Sequence, residues 1–156
     1  MKIIPLSEGA FTIDKSKLFV PFDTETDDLQ KRAVGSLLVE VQPFLVVTSE
    51  DVLLLDTGLG FEKDGVLQVH QNIIDAGINP SEVTKVLMSH LHKDHAGGMA
   101  QLNAQGTKTL AFPNAQYYVQ RYIYIVIQES VAKPLYRIIG ALHYLPFSLS
   151  MEYFVL

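Results

Sequence analysis

The sequence predicts an α/β (α+β) fold, and three observations carry the prediction. Short β-rich runs fill the first third, one helix-periodic stretch separates two apolar strand-like runs, and the composition is that of a single globular domain. Of 156 residues, 48% are hydrophobic and 19% charged, a balance outside the disordered and fibrous classes. A chain of this length can bury a core.

Residues 2–6, 10–13, 18–20, 35–41, 44–48 and 51–55 are the expected strands. The run Ser36-Leu37-Leu38-Val39-Glu40-Val41 partly alternates, whereas Val52-Leu53-Leu54-Leu55 is apolar throughout, as for a strand buried on both faces. Thr48-Ser49-Glu50-Asp51 between them is a polar turn. Together these runs suggest an antiparallel meander that leads into a buried central strand.

After Asp56-Thr57-Gly58-Leu59-Gly60 the spacing becomes helical. Val66, Val69, Ile73, Ile74 and Ala76 or Ile78 form one stripe, with Gln68, Gln71, Asn72 and Asp75 opposite, and Gly77 ends the helix. Lys85-Val86-Leu87-Met88-Ser89 is a second buried-strand run. Strand, helix, strand implies a βαβ unit, in which functional groups gather at the carboxyl ends of the strands. Asp56 and His90 both fall at such ends.

Charge and composition narrow the function. The net charge is −5, and no Lys/Arg block exceeds the pair Lys31-Arg32, so no electrostatic footprint for nucleic acid is present. With no cysteine, disulfides and thiolate metal sites are excluded, and any metal must sit on nitrogen and oxygen. The N-terminal apolar run is broken by Pro5 and Glu8 and is too short for a signal-peptide core. The apolar stretch 138–156 contains His143, Pro146 and Glu152 and makes a poor membrane span. A cytoplasmic protein without membrane or nucleic-acid partners is expected.

The chemistry lies in His90-Leu91-His92-Lys93-Asp94-His95, where three of the five histidines and one aspartate occupy six positions. Imidazole and carboxylate suit zinc, manganese, iron or cobalt. On an extended segment, residues two apart point the same way, so His90 and His92 can grip one ion. If a helix starts near Asp94, Asp94 and His95 lie beside that ion and can hold a second. Two ions about 3.5–4 Å apart can bind a hydroxide as nucleophile and polarise a carbonyl or phosphoryl oxygen. Asp94 can also protonate a leaving group, and Gly97 and Gly98 let the backbone pass close by. His70, on the polar side or edge of the predicted helix, reads as structural, and so does His143. Tyr122, Tyr124 and Tyr136 read as packing residues. Asp56-Thr57-Gly58 alone is ordinary turn chemistry. One βαβ unit before the cluster, Asp56 becomes a candidate acceptor that orients a metal-binding histidine from behind.

Leu54-Leu55-Asp56-Thr57-Gly58 followed by Val86-Leu87-Met88-Ser89-His90-Leu91-His92-Lys93-Asp94-His95-Ala96-Gly97-Gly98 resembles the metallo-β-lactamase superfamily. The β-rich lead-in and Phe112-Pro113-Asn114-Ala115-Gln116-Tyr117-Tyr118-Val119 are similar to its acyl-homoserine-lactonase and methyl-parathion-hydrolase-like branch. The resemblance implies the N-terminal half of an αββα sandwich. It also implies a metal-dependent, usually zinc, hydrolase that cleaves a lactone, ester or phosphotriester through a metal-bound hydroxide. On it, His90 and His92 would hold a first ion, Asp94 and His95 a second, and Asp56 would support them. No other cofactor is implied, and the partner is a small-molecule substrate.

The family's further ligands, a third histidine, a bridging aspartate and a last histidine, come from its second half. Here no aspartate follows Asp94, and after His95 only His143 remains. The expected organisation is therefore a metallo-β-lactamase-like N-terminal half, 1–121, and a divergent apolar tail, 122–156, from a truncated or frameshifted product. The alternative function is an inactive remnant that folds or associates and binds metal weakly. An uncovered sheet would favour a homo-oligomer. The glutamate of flavodiiron oxidoreductases, usual where this sequence has His92, is missing. Nucleases of the fold fit the acidic balance poorly, and glyoxalase-II-like thioesterases stay open.

Overall fold

The computed structural model describes residues 1–103 and 105–120, together with the backbone of 151–154. The expectations for the 122–156 tail, including its boundary at 121 and the readings of His143, Tyr122, Tyr124 and Tyr136, otherwise lie outside the described residues.

Six strands occupy the expected runs of the first 55 residues: β1 (Lys2–Pro5), β2 (Gly9–Ile13), β3 (Phe19–Phe22), β4 (Leu37–Val41), β5 (Phe44–Val47) and β6 (Val52–Leu55). They do not form one meander. β2, β3 and β4 make a three-stranded antiparallel sheet in the order β3-β2-β4. β1 instead crosses to pair with β5, Ile4 opposite Leu45, and the β5–β6 hairpin places Leu45 opposite Leu54. Between β4 and β5 the chain passes through Gln42-Pro43, and Pro43 has no N–H to continue a ladder. The hairpin turn is the polar one expected: Thr48 Oγ1 accepts from the N–H groups of Glu50 and Asp51.

Past the Asp56–Gly60 loop, β7 (Glu62–Lys63) and β8 (Val66–Leu67) form a two-stranded ladder. Helix α1 (Gln68–Asp75) therefore starts later than the apolar stripe suggested, because Val66 and Leu67 are already committed to β8. Val69 and Ile73 are completely buried, whereas Ile74, assigned to the same stripe, is 49% exposed. Ile74 stands about 100° around the helix from Ile73, off the face that Val69 and Ile73 bury. β9 (Lys85–Met88) follows and pairs in parallel with β6, Leu54 opposite Val86, which completes the βαβ unit. Then come α2 (Lys93–Ala96), the hairpin β10 (Ala100–Leu102) and β11 (Lys108–Leu110), β12 (Gln116–Gln120) and β13 (Met151–Phe154).

The main sheet has the order β1-β5-β6-β9-β12-β13, antiparallel over its first three strands and parallel from β6 onward. Its α1 face presents Leu45, Leu54, Val86, Met88, Tyr117 and Val119, which join Val69, Ile73 and Phe112 in the principal core. The Tyr117 hydroxyl is satisfied there, accepting from the Phe112 N–H and donating to the Met99 carbonyl. β6 is not buried on both faces as expected: only Leu54 is fully covered, and Val52, Leu53 and Leu55 are half-buried. Among the described residues no helix is long and apolar enough to cross a membrane.

Candidate metal centre

β6 and β9 run side by side and in the same direction, so their carboxyl ends open on one edge of the sheet, where Asp56 and Ser89–His90 emerge. The Asp56 N–H continues the ladder to the Leu87 carbonyl. The residue then turns with φ 59°, a left-handed conformation that aspartate tolerates better than most side chains. Its Oδ1 accepts the Ser89 N–H at 2.8 Å, and its Oδ2 accepts the Ser89 hydroxyl at 2.6 Å and the His95 Nδ1 proton at 2.8 Å.

His92 caps the N-terminus of α2, and the two-step extended segment before it puts the His90 and His92 rings 4.7 Å apart, edge to face. The first turn of α2 then swings Asp94 and His95 back toward them. The His90 and His95 ring centroids are 3.9 Å apart, and His95 Nε2 lies 3.4 Å from Asp94 Oδ2. Burial, followed by the neighbouring His95 and His92, holds the His90 imidazole below its usual pKa, which favours the neutral form that binds metal.

The helical turn is fastened to the loop after β6 at His95 and Gly97. The Thr57 N–H and hydroxyl both donate to the His95 carbonyl, at 2.7 and 3.0 Å, and the Gly97 N–H donates to the Gly58 carbonyl at 2.8 Å. A Cβ on Gly97 would stand 2.1 Å from the Leu59 oxygen, and one on Gly98 2.2 Å from the Thr57 oxygen. Glycine is required at both positions for this backbone-to-backbone contact.

The donor set fits half of a metal centre. Asp56 occupies His95 Nδ1, so the free lone pair of that ring is on Nε2, the carboxylate–histidine arrangement that orients a metal ligand. The 3.4 Å between His95 Nε2 and Asp94 Oδ2 matches the roughly 3.4 Å separation of two ligands on one tetrahedral ion with bonds near 2.0–2.2 Å. Among the described residues, however, no three His, Asp or Glu side chains are set to hold one ion together. The structure thus brings Asp56, His90, His92, Asp94 and His95 to one place. His70 lies apart, its Nε2 on the Ala111 carbonyl and its ring edge-on to Phe112, in the structural role expected of it.

Two features escaped the sequence. Ser89 links Asp56 to His90, its hydroxyl 3.1 Å from His90 Nδ1, yet a serine after a strand carries no signal of its own. A groove of about 750 Å3 also opens beside His92 and Asp94. Phe11 and Val41, on one face of the β3-β2-β4 sheet, pack with Leu59. Farther along that face Ile13 and Leu37 line the groove, together with Phe19 and Val39, which also pack against that cluster, and Leu37 is 65% exposed. Lys17 and Lys93 stand at its polar side.

Comparison with known proteins agrees with this fold. The family model of the metallo-beta-lactamase superfamily matches residues 38–130. An atrochrysone carboxyl ACP thioesterase from Pseudocercospora fijiensis (strain CIRAD86) is 36% identical over 59 residues, 38% of this chain and 16% of that protein. The structure of AidC, a dizinc quorum-quenching lactonase in complex with a product, superimposes with a TM-score of 0.66 at 22% identity, over 97% of this chain and 57% of that one. The hydrolase AbOPH in the beta lactamase superfamily gives 0.60 at 21% identity, over 90% and 50%. A probable metal-dependent hydrolase from Staphylococcus aureus gives 0.59 at 22%, over 86% and 50%. The chain thus spans about half the length of the solved structures it matches and a smaller part of that thioesterase.

Proposed function

The chain belongs to the metallo-beta-lactamase superfamily, and from that premise we propose that its site serves metal-dependent hydrolysis of an acyl compound, a lactone, ester or thioester, or of a phosphotriester. One observation carries the reading: Asp56 holds His95 by Nδ1 while His95 Nε2 and Asp94 Oδ2 face each other beside His90 and His92. Zinc is the proposed metal, held by His90, His92, Asp94 and His95; when bound it supplies Lewis acidity and a water acidic enough to attack at neutral pH. The protein's own share is orientation. Asp56 and Ser89 fix the imidazoles, Asp94 is within reach of a leaving group, and the apolar wall of the groove takes the non-reacting part of a substrate and keeps water from it. The lactone and thioester classes are supported by the names of the lactonase and thioesterase relatives.

A second reading is a chain that folds and binds metal weakly without turnover. It is favoured by the absence, among the described residues, of three side chains set for one ion. Zinc titration followed by assays on a lactone, an aryl ester, a thioester and a phosphotriester, with His92→Ala as control, separates the two. Turnover lost in the variant, with zinc affinity at least about tenfold weaker, establishes the hydrolase. Substoichiometric zinc after dialysis and no turnover establishes the weak binder, and no zinc uptake at all sinks both.

A further inference from the structure

We propose that Glu8 is a positioning residue for the Asp56–His95 pair, clamping the 57–60 loop onto the turn that carries His95. The inference rests on the metal-centre reading for its functional meaning. Glu8 lies between β1 and β2, its backbone tied to the Val41 carbonyl at 2.8 Å. Its side chain turns inward, and Oε2 accepts the Leu59 N–H at 2.7 Å. The carboxyl lies flat against Gly58: a Cβ at that position would meet Oε1 at 2.3 Å and Cδ at 2.4 Å, and Gly58 also has φ 72°. No other residue type leaves room for both the carboxyl and this backbone turn.

On its opposite side the same loop is bound to α2. Thr57 reaches the His95 carbonyl, and the Gly58 carbonyl receives the Gly97 N–H. Gly60 sits against the Gly97 oxygen, where a Cβ would come within 2.2 Å. Asp56 opens the loop, and its carboxylate holds His95. Asp56, the loop and α2 therefore close a ring through His95, and Glu8 holds that ring from the loop side. A loop gripped from one side only could slide, and small displacements of oriented groups cost large factors in binding and rate.

The clamp has a visible cost. Oε1 is buried without a hydrogen-bond partner, which costs free energy. Burial pushes the Glu8 carboxyl up to about 7, against the lowering pull of the Leu59 N–H. A carboxyl kept in such a place is explained by the Leu59 N–H it accepts, since that backbone donor would otherwise lack a partner next to the site.

The test compares the full chain with Glu8→Gln, which keeps the acceptor, and Glu8→Ala, which removes it. Zinc affinity is read by competition with a chelating dye, and amide hydrogen exchange is read at Leu59, Thr57 and Val86. Expected for Glu8→Ala are faster exchange at Leu59 and Thr57 with Val86 unchanged, and about tenfold or weaker zinc binding; Glu8→Gln should keep the parent's zinc affinity and show no faster exchange at Leu59 and Thr57. If Glu8→Ala fails to fold, Glu8→Leu fills the space without accepting the Leu59 N–H. A change confined to Leu59, or zinc affinity unaffected by either variant, overturns the inference, as does global loss of protection in both, which would mark a stability role only. A parent chain that takes up no zinc refutes the metal-centre reading, while exchange at Thr57 still decides whether Glu8 is coupled to His95.

Discussion

Asp56 receives three donors, from the Ser89 N–H, the Ser89 hydroxyl and His95 Nδ1, so its removal strands all of them at once. The side chain is 17% exposed, and water can replace part of what is lost. Asp56→Ala should cost about 1–3 kcal/mol in urea unfolding, and Asp56→Asn, which keeps the shape, less. Both should weaken zinc binding about 10–100-fold, because the acceptor that fixes the His95 ring is gone or neutral. Zinc affinity equal to that of the parent would remove Asp56 from the site. Glu8 yields a pH prediction of opposite sign to the usual carboxylate. Its folded pKa is raised from 4.5 to about 7, so folding favours the protonated form. That contribution is complete below the unfolded value and is lost as pH rises toward 7. Glu8→Gln cannot ionise, so stability curves from pH 5 to 8 should show the parent losing ground to the variant by up to about 3 kcal/mol. Parallel curves would mean that Glu8 titrates normally. Asp56 was legible in the sequence because a known spacing to the histidine cluster singled it out. Glu8 was not, since its partner Leu59 lies 51 positions away and no local pattern announces a contact at that separation.

At the scale of elements, local signals served well and non-local ones did not. The β5–β6 hairpin was readable from Thr48–Asp51 and the βαβ unit from its change of period, because both are written in neighbouring residues. The crossing of β1 to β5 was not, since strand partners are chosen by whole faces rather than by adjacent chain. The start of α1 was misplaced for a related reason: Val66 and Leu67 suit a strand as well as a helix, and pairing with Glu62 and Lys63 decides. What α1 contributes is concentrated in Val69 and Ile73, both completely buried against the β6 and β9 side chains. Ile73→Ala should destabilise the chain by about 2–4 kcal/mol in denaturant unfolding, the loss of a buried branched side chain plus the cavity left behind. Ile74→Ala, one position on but 49% exposed, should cost well under 1 kcal/mol. Equal effects would show that the helix packs by a different face.

For the whole molecule, the two faces of the main sheet differ. Ladder partners share a face, so the side opposite α1 carries one row of Ile3, Val46 and Leu53, which continues into the polar Lys85 and Gln116, and another of Phe44, Leu55, Leu87 and Tyr118. The apolar members are side chains of core type, yet Ile3 is 58% and Phe44 36% exposed, and the others are only half-buried. Apolar side chains exposed on neighbouring strands favour association. The edge strand β1 is a poorer route, because Lys2 puts a charge there and Pro5 lacks the N–H that ladder extension needs. We therefore propose that copies of the chain meet face to face through the Ile3 and Phe44 rows. Sedimentation velocity over a range of concentrations should show mass increasing above that of the monomer, and the double substitution Ile3→Lys, Phe44→Lys should return it to the monomer. The two side chains stand on neighbouring strands of one face, and neither contributes to the core cluster beneath α1. The substitutions should therefore leave the unfolding midpoint nearly unchanged, which separates loss of association from loss of fold. A parent chain that stays monomeric throughout the series, or a variant that still associates, would place the contact elsewhere or remove it.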